Sequence, residues 1–316
     1  MFDWRDYNNG IYAFDAGYVR PLLAAIHLVV EGGRVALIDT GSKDSLSPTL
    51  EALGRLGLGP DAVDYVILTH IHLDHAGGAG HMMRVFPNAR LVVHPRGARH
   101  MASPEKLVAG VTAVYGADYV SRVYGDLLPI PTERIVEAGE GSVISLSGRE
   151  FLCMDTPGHA RHHICIVDRR TSGIFSGDMF GLSYRELDVD DRQFIFPTTT
   201  PSQFEPEAMV KSLDRLLDLR PEAIYLTHYS RIHDVQQLGQ DLRRRLQAHI
   251  DKAQAAKGNG VERHEELKAA LTAYLLSELR AHGCGLSDEE LLKLWGTDLE
   301  LNAQGLEIWL DSHSAS

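Results

Sequence analysis

The sequence predicts an α/β protein built as an αββα sandwich, two mixed sheets face to face with helices outside, followed by a helical C-terminal extension. Three observations predict it. β-branched, apolar runs alternate with stretches of helical spacing. In each half of the chain a strand runs into a polar, histidine-bearing loop and then into a new element. Beyond residue 231 the strand patterns stop and only helical spacing remains. Residues 1–231 are therefore read as one domain and 232–316 as its extension.

A chain of 316 residues, 44% hydrophobic and 23% charged, buries a sizeable core. Asp plus Glu number 43 against 31 for Lys plus Arg, a formal charge of −12, which argues against nucleic acid as a substrate or partner. Cys153, Cys165 and Cys284 make no paired framework and no CxxC, which suits a reducing compartment. The start, Met1-Phe2-Asp3-Trp4-Arg5-Asp6, lacks a secretory leader's basic and apolar regions, and no apolar run reaches membrane-spanning length. The expectation is a cytoplasmic protein with a small-molecule substrate and no membrane contact.

Ile11–Asp15 and Leu22–Glu31 read as strands, Gly32-Gly33 as a hairpin turn, and Arg34–Asp39 as the returning strand. His27 lies mid-strand and reads as a core residue. Leu46, Leu50, Leu53 and Leu56 keep helical spacing, which predicts a helix over about 45–57. The run 63–69 is the next strand, and it opens onto Thr69-His70-Ile71-His72-Leu73-Asp74-His75-Ala76-Gly77-Gly78. Three imidazoles and a carboxylate within six residues do not share a helix face. On a loop at a strand's C-terminal end, where α/β sheets place ligands, they can converge. One buried histidine would need no metal. An aspartate buried among three imidazoles is costly without a cation, and zinc, iron and manganese share these donors.

The segment resembles the HxHxDH signature of the metallo-β-lactamase-fold hydrolases, the superfamily of glyoxalase II-type thioesterases and acyl-homoserine lactonases. The resemblance covers about 10–230 and implies further ligands downstream. It also gives Asp39-Thr40-Gly41 a meaning. Asp39 is either a loop anchor or a carboxylate that stands behind a ligand histidine and fixes its tautomer.

Ala79–Phe86 reads as helix and Arg90–His94 as strand. Residues 95–132, with Tyr115, Tyr119 and Tyr124 and closed by Pro129-Ile130-Pro131, read as an insertion able to wall a pocket; the plainer reading is that the tyrosines pack the helix. His94 and His100 are read as structural. Strands resume at Val143–Leu146 and Phe151–Met154. Asp155-Thr156-Pro157-Gly158-His159 then matches the family's Thr-Pro-Gly-His element. His162 and His163 are extra, and His163 opens a strand to Val167. Gly173–Asp178 is a strand ending on the family's Gly-Asp, and Ala223–His228 one ending on the last histidine. Ile232–Ala256 is a charged helix, 257–260 a break, and Leu267, Leu271, Tyr274, Leu275 and Leu279 an apolar helical stripe. Shorter helical pieces with Trp295 and Trp309 follow. This tail packs on the core, shapes the pocket, or forms a homodimer contact.

The resemblance implies that His70, His72 and His159 hold one metal, and that Asp74, His75 and His228 hold a second, with Asp178 bridging. Two divalent ions, zinc first with iron or manganese as alternatives, would share a water and lower its pKa from ~16 toward ~7. The bridging hydroxide attacks an ester-like substrate: thioester, ester, lactone or phosphoester. Asp74 takes a proton as the intermediate collapses, and Tyr184 or Tyr229 is a candidate donor to the oxyanion. No G-x-S-x-G element suggests a covalent route. Asp178 speaks against β-lactam hydrolysis, since some true β-lactamases of the superfamily carry cysteine there. The family's basic glutathione contacts are not evident, although Arg161 and Lys211 keep that substrate open. Two other classes compete. One is a mononuclear iron persulfide dioxygenase on His70, His72, His159 and Asp178. The other is a non-enzymatic ligand-binding or signalling protein that retains the site.

Overall fold

The computed structural model describes residues 3–201 and 203–314. Met1 and Phe2, on which part of the leader reading falls, lie outside them, as do Ser202, Ala315 and Ser316.

A first sheet takes seven strands in chain order: β1 (Trp4–Asp6), β2 (Ile11–Asp15), β3 (Ala25–Glu31), β4 (Arg34–Ile38), β5 (Val63–Ile67), β6 (Arg90–Val93) and β7 (Ile135–Glu137). β1 to β4 pair antiparallel and β4 to β7 parallel, so the sheet is mixed. The second sheet holds β8 (Val143–Leu146), β9 (Arg149–Asp155), β10 (Ile164–Asp168), β11 (Gly173–Gly177), β12 (Ala223–Leu226) and β13 (Ser230–Ile232), in the order β13-β12-β11-β10-β9-β8. There β11 and β12 pair parallel, while β8 with β9, β9 with β10 and β10 with β11 pair antiparallel. The helices are α1 (Leu46–Arg55), α2 (Leu73–Ala76), α3 (Ala79–Val85), α4 (Pro95–Ala102), α5 (Glu105–Tyr115), α6 (Ala117–Val123), α7 (Pro206–Asp218), α8 (Val235–Ala255), α9 (Val261–His282) and α10 (Asp288–Ser314). The expected two mixed sheets and helical C-terminal region are present.

The described residues form two compact units. The first comprises the residues up to Asp155, His162–Gly177 and Glu222–Arg231; the second comprises Thr156–Arg161, Asp178–Pro221 and the chain from Ile232. The second unit thus draws on loops before residue 232 as well as on the extension expected after it.

Within the first unit, strand alternation separates two apolar layers. Val29, Ala36, Ile38, Ile67 and Val92 of the first sheet meet Phe151, Cys153, Ile164, Ile166 and Phe175 of the second, which sets the sheets face to face. Leu28, Leu37, Val66, Leu91 and Val93 point the other way and pack under Leu53, Met82, Met83, Ala98 and Met101 of the helices. His27 is the core residue expected: its ring lies edge-on to Phe175 and Tyr225, and burial pushes its pKa down to about 4.

Several expectations shift. The first long strand starts at Ala25 rather than Leu22, because the Asp15 carboxylate accepts from Gly17 N and Leu22 N and curls that segment into a loop. α1 buries Thr49, Ala52 and Leu53, while Leu50 faces solvent. β1, β7 and β13 are three-residue strands that carry too little pattern of their own to be read. Tyr274 leaves the α9 stripe, its ring meeting Lys252 while its hydroxyl lies 3.3 Å from Arg244. The shorter pieces after residue 285 are one helix, α10. Leu291, Trp295, Leu299, Asn302, Ala303 and Leu306 are all buried at helical spacing. That continuous face outweighs the roughly 1 kcal/mol that each interior glycine costs. Asn302 also accepts from Thr199 N at 2.7 Å and donates to Pro197 O at 3.0 Å.

Candidate metal centre

In the first unit the site begins with Asp39, the residue after β4. Its φ of +61° is one that Asp tolerates better than most side chains. Its backbone N–H donates to Ile67 O, and its buried carboxylate faces the ends of two other strands. Oδ1 accepts from Thr69 N at 2.8 Å, and Oδ2 accepts from Thr227 Oγ1 and from His75 Nδ1, each at 2.8 Å. Asp39 is therefore at once a loop anchor and the carboxylate behind an imidazole.

The histidine motif turns where β5 ends. His72 is extended (φ −62°, ψ 148°) and opens the single turn α2, which carries Asp74 and His75. The backbone N–H and the hydroxyl of Thr40 both bond His75 O at 2.7 Å. On the far side, β12 ends at Leu226, and His228 Nδ1 donates to Leu23 O at 2.7 Å.

These ties settle which ring nitrogens face inward. An ionised carboxylate and a carbonyl only accept, so His75 and His228 each donate through Nδ1, and in the neutral ring Nε2 then carries a lone pair. Both Nε2 atoms face the same oxygen, Asp74 Oδ2, at 3.6 and 3.3 Å. One donor atom from each of Asp74, His75 and His228 lies within 4.8 Å of the others. Neutral rings so placed offer two nitrogen lone pairs beside a carboxylate oxygen, an arrangement that a cation between them satisfies. The donor set, two imidazoles and one carboxylate, fits a divalent transition metal.

His70 is fully buried, its ring centroid 4.0 Å from that of His75. Its Nδ1 lies 3.1 Å from Thr69 Oγ1, and its Nε2 lies 2.9 Å from His72 Nδ1. His163 stacks on His70 at 5.0 Å, and His162 Nδ1 accepts from Ile71 N. Burial, with help from the neighbouring His72, pushes the His162 pKa down to about 3, so this ring is neutral.

His159 and Asp178 belong to the second unit, where His159 Nε2 and Asp178 Oδ2 are 3.4 Å apart and both residues are buried. The turn before His159 is clamped onto α7: Ser212 Oγ donates to Pro157 O, and Glu205 N donates to Gly158 O. Gly158 has φ +137°, and a Cβ there would sit 2.3 Å from the Met209 backbone, so no other residue fits. Asp178 is peptide-bonded to Gly177, the last residue of β11. A Cβ on Gly177 would meet Thr69 Oγ1 and His163 Nε2 within 2.7 Å.

The two tyrosines named as oxyanion donors have other partners. Tyr184 is fully buried and donates to Asp298 at 2.9 Å, and Tyr229 donates to Asp3. Asp3 and Asp298 carry no motif that would have announced them. Tyr18 and Tyr124 form a buried pair that the sequence reading missed, their hydroxyls 2.6 Å apart. The free cysteines are all buried, and among the described residues no helix is long and apolar enough to cross a membrane.

The model of the metallo-beta-lactamase superfamily matches residues 19–228. Over 225 residues the chain is 27% identical to the metallo-beta-lactamase fold-containing protein ST1585 of Sulfurisphaera tokodaii, an alignment covering 69% of this chain and 78% of that one. The crystal structure of the archaeal ST1585 superposes with a TM-score of 0.65 at 22% identity, over 94% of this chain and 98% of that one. The acyl-coenzyme A thioesterase MBLAC2 of Gallus gallus is 34% identical over 162 residues, 49% of this chain and 57% of that protein. A hydroxyacylglutathione hydrolase of Xanthomonas campestris pv. campestris is 27% identical over 213 residues, 67% of this chain and 60% of that protein.

Proposed function

The chain belongs to the metallo-beta-lactamase superfamily, and we propose that it is a dinuclear metal-dependent hydrolase of small ester-type substrates, thioesters first. One observation carries the reading: Asp74, His75 and His228 converge within 4.8 Å, with both imidazoles held through Nδ1 and both Nε2 atoms turned toward Asp74 Oδ2. Neutral rings held this way present the donor set of a metal site. The order of His70, His72, His159 and Asp178 along the chain supports a second metal position, with Asp178 as the bridge.

Bound divalent ions, zinc first, would supply an acidified water and polarise the attacked carbonyl. The chain's own residues do the rest. Asp39 keeps His75 in the ligating tautomer and ties it to the ends of β4, β5 and β12. Asp74, whose side chain is 23% exposed, reaches solvent and can take the proton released as water adds to the substrate and pass it to the departing thiolate or alkoxide. The thioester preference draws on the names of two relatives, an acyl-coenzyme A thioesterase and a hydroxyacylglutathione hydrolase. The reducing, cytoplasmic setting expected from three unpaired thiols suits such substrates.

The test is hydrolysis by purified, metal-analysed protein of five probes: an acyl-coenzyme A, an acyl-glutathione, an aryl ester, an acyl-homoserine lactone and an aryl phosphodiester. Turnover of a thioester, lost with a chelator and restored by metal, is expected. Metal-loaded protein that cleaves none of the five overturns the hydrolase reading.

A further inference from the structure

A path of contacts leads from α10 back to His159 through two pieces of the connection between β11 and α7, and every residue on it belongs to the second compact unit. Asn302 on α10 is buried and makes three bonds to the first piece. Its Oδ1 accepts from Thr199 N at 2.7 Å, its Nδ2 donates to Pro197 O at 3.0 Å, and its backbone O accepts from Thr199 Oγ1 at 3.0 Å. Further along the same helix, a Cβ at Gly305 would stand 1.5 Å from Thr199 O, so α10 lies against this backbone where no larger residue fits. The next residue, Thr200, is half-buried, and its hydroxyl is 3.5 Å from both Nδ1 and Nε2 of His159. The second piece holds the backbone on either side of His159: Glu205 N donates to Gly158 O at 2.8 Å, and Gln203 Oε1 accepts from Arg161 N at 2.9 Å. Phe204 between them meets Trp309 of α10 edge-on, ring centroids 6.4 Å apart.

We propose that α10 supports the His159 side chain: through Asn302 and Gly305 it fixes the Pro197–Thr200 backbone, and Thr200 braces the imidazole beside Asp178 in the orientation a metal ligand needs. The proposal rests on the metal-centre reading above. Residues around a ligand imidazole hold its nitrogen toward the ion, and their loss weakens the metal. The His159 ring has Asp178 Oδ2 3.4 Å from its Nε2 and the Thr200 side chain against it. A hydroxyl 3.5 Å from two nitrogens at once is a packing contact rather than a strong hydrogen bond, so its effect is to limit how the ring turns. On a loose loop such a brace would give way, but Thr200 extends from backbone that Asn302 grips three times. The other buried side chains along this face, Leu291, Trp295, Leu299, Ala303 and Leu306, are apolar, so packing alone does not call for an amide at 302. A buried amide is costly unless paired, and both of its polar groups are spent on Pro197 and Thr199.

The experiment measures zinc binding to the full chain by competition against a chromophoric chelator, with zinc content after dialysis and the Tm of stripped protein recorded for each variant. Asn302→Ala removes the grip, Thr200→Ala removes the brace, and Thr200→Val keeps the shape of the brace without its hydroxyl. Leu275→Ala, at a buried position on α9, is the control for lost stability alone. Asn302→Ala and Thr200→Ala are each expected to weaken one zinc ion at least ~10-fold and leave the other unchanged, as for a lost residue that supports a ligand. Thr200→Val, of nearly equal volume, is expected to bind both ions within about twofold of the wild type. Leu275→Ala is expected to lower Tm with zinc binding unchanged. If Asn302→Ala does not fold, Thr200→Ala decides. Folded Asn302→Ala or Thr200→Ala that binds both ions as tightly as the wild type, a Thr200→Val as weak as Thr200→Ala, or an equal loss in Leu275→Ala overturns the brace and leaves the metal reading standing. A wild type that takes up no zinc overturns both.

Discussion

Asp39→Asn is the substitution whose outcome the geometry dictates most closely. The carboxylate accepts on both oxygens: Thr69 N on Oδ1, and His75 Nδ1 with Thr227 Oγ1 on Oδ2. Asparagine fits the same space with one acceptor oxygen and one amide. The backbone donor Thr69 N cannot turn away, so the carbonyl takes the Oδ1 side and the amide faces His75 Nδ1. A neutral imidazole that accepts at Nδ1 carries its proton on Nε2, the nitrogen that faces Asp74. The ligand lone pair is then gone unless the ring flips and abandons its anchor. Loss of such a supporting carboxylate costs roughly 10- to 100-fold in metal affinity. The buried donors left poorly matched cost about 2–4 kcal/mol, a drop in Tm of roughly 3–6 °C for the metal-free protein. Competition against a chromophoric chelator gives the affinity, and melting curves of stripped protein give the stability term separately. Folded Asp39→Asn that holds metal as tightly as the wild type would refute the tautomer argument.

Asp178→Asn keeps shape and removes charge; if Asp178 bridges two cations, kcat falls at least ~100-fold with little change in KM, and near-normal kcat at full metal occupancy contradicts the bridge. A pH effect follows from His249, fully buried with its Nδ1 on Arg245 O, whose pKa burial lowers to about 4. Its unfolded form binds a proton that the folded form refuses, so this stability is present above about pH 6.5 and lost as pH falls toward 4. The loss reaches about 3 kcal/mol. His249→Leu should flatten the fall of Tm between pH 7 and pH 4.5; parallel curves for variant and wild type would show that the folded protein does not depress the pKa of His249. His27, with a folded pKa also near 4, adds a loss of the same sign and remains in the variant.

Much of the site is legible from sequence because its residues are short-range. His70, His72, Asp74 and His75 share one loop, and the strand before them is a clear apolar run ending where α/β sheets place ligands. What is not legible is long-range or cooperative. Asp39 reads equally as an anchor or a supporting carboxylate until Thr69, His75 and Thr227 are seen around it. Tyr184 and Tyr229 look like donors because they lie near Asp178 and His228 in sequence, but hydroxyl direction is set by Asp298 and Asp3, distant in the chain. Tyr18 carries no motif and gains meaning only beside Tyr124. β1 and β7 are too short to show alternation and exist because a neighbouring edge pairs with them. Gly296 and Gly305 lie inside α10, where only the buried face from Leu291 to Leu306 shows the helix to be continuous.

The central proposal is that Asp74, His75 and His228 hold one metal ion and that a second ion is held by the further ligands that the family's motif order implies. Elemental analysis of dialysed wild type and His228→Ala tests it most directly. The account predicts two divalent ions per chain in the wild type and one in the variant, whose remaining histidines keep the other position intact. A wild type holding one ion or none, or a variant that still holds two, contradicts it.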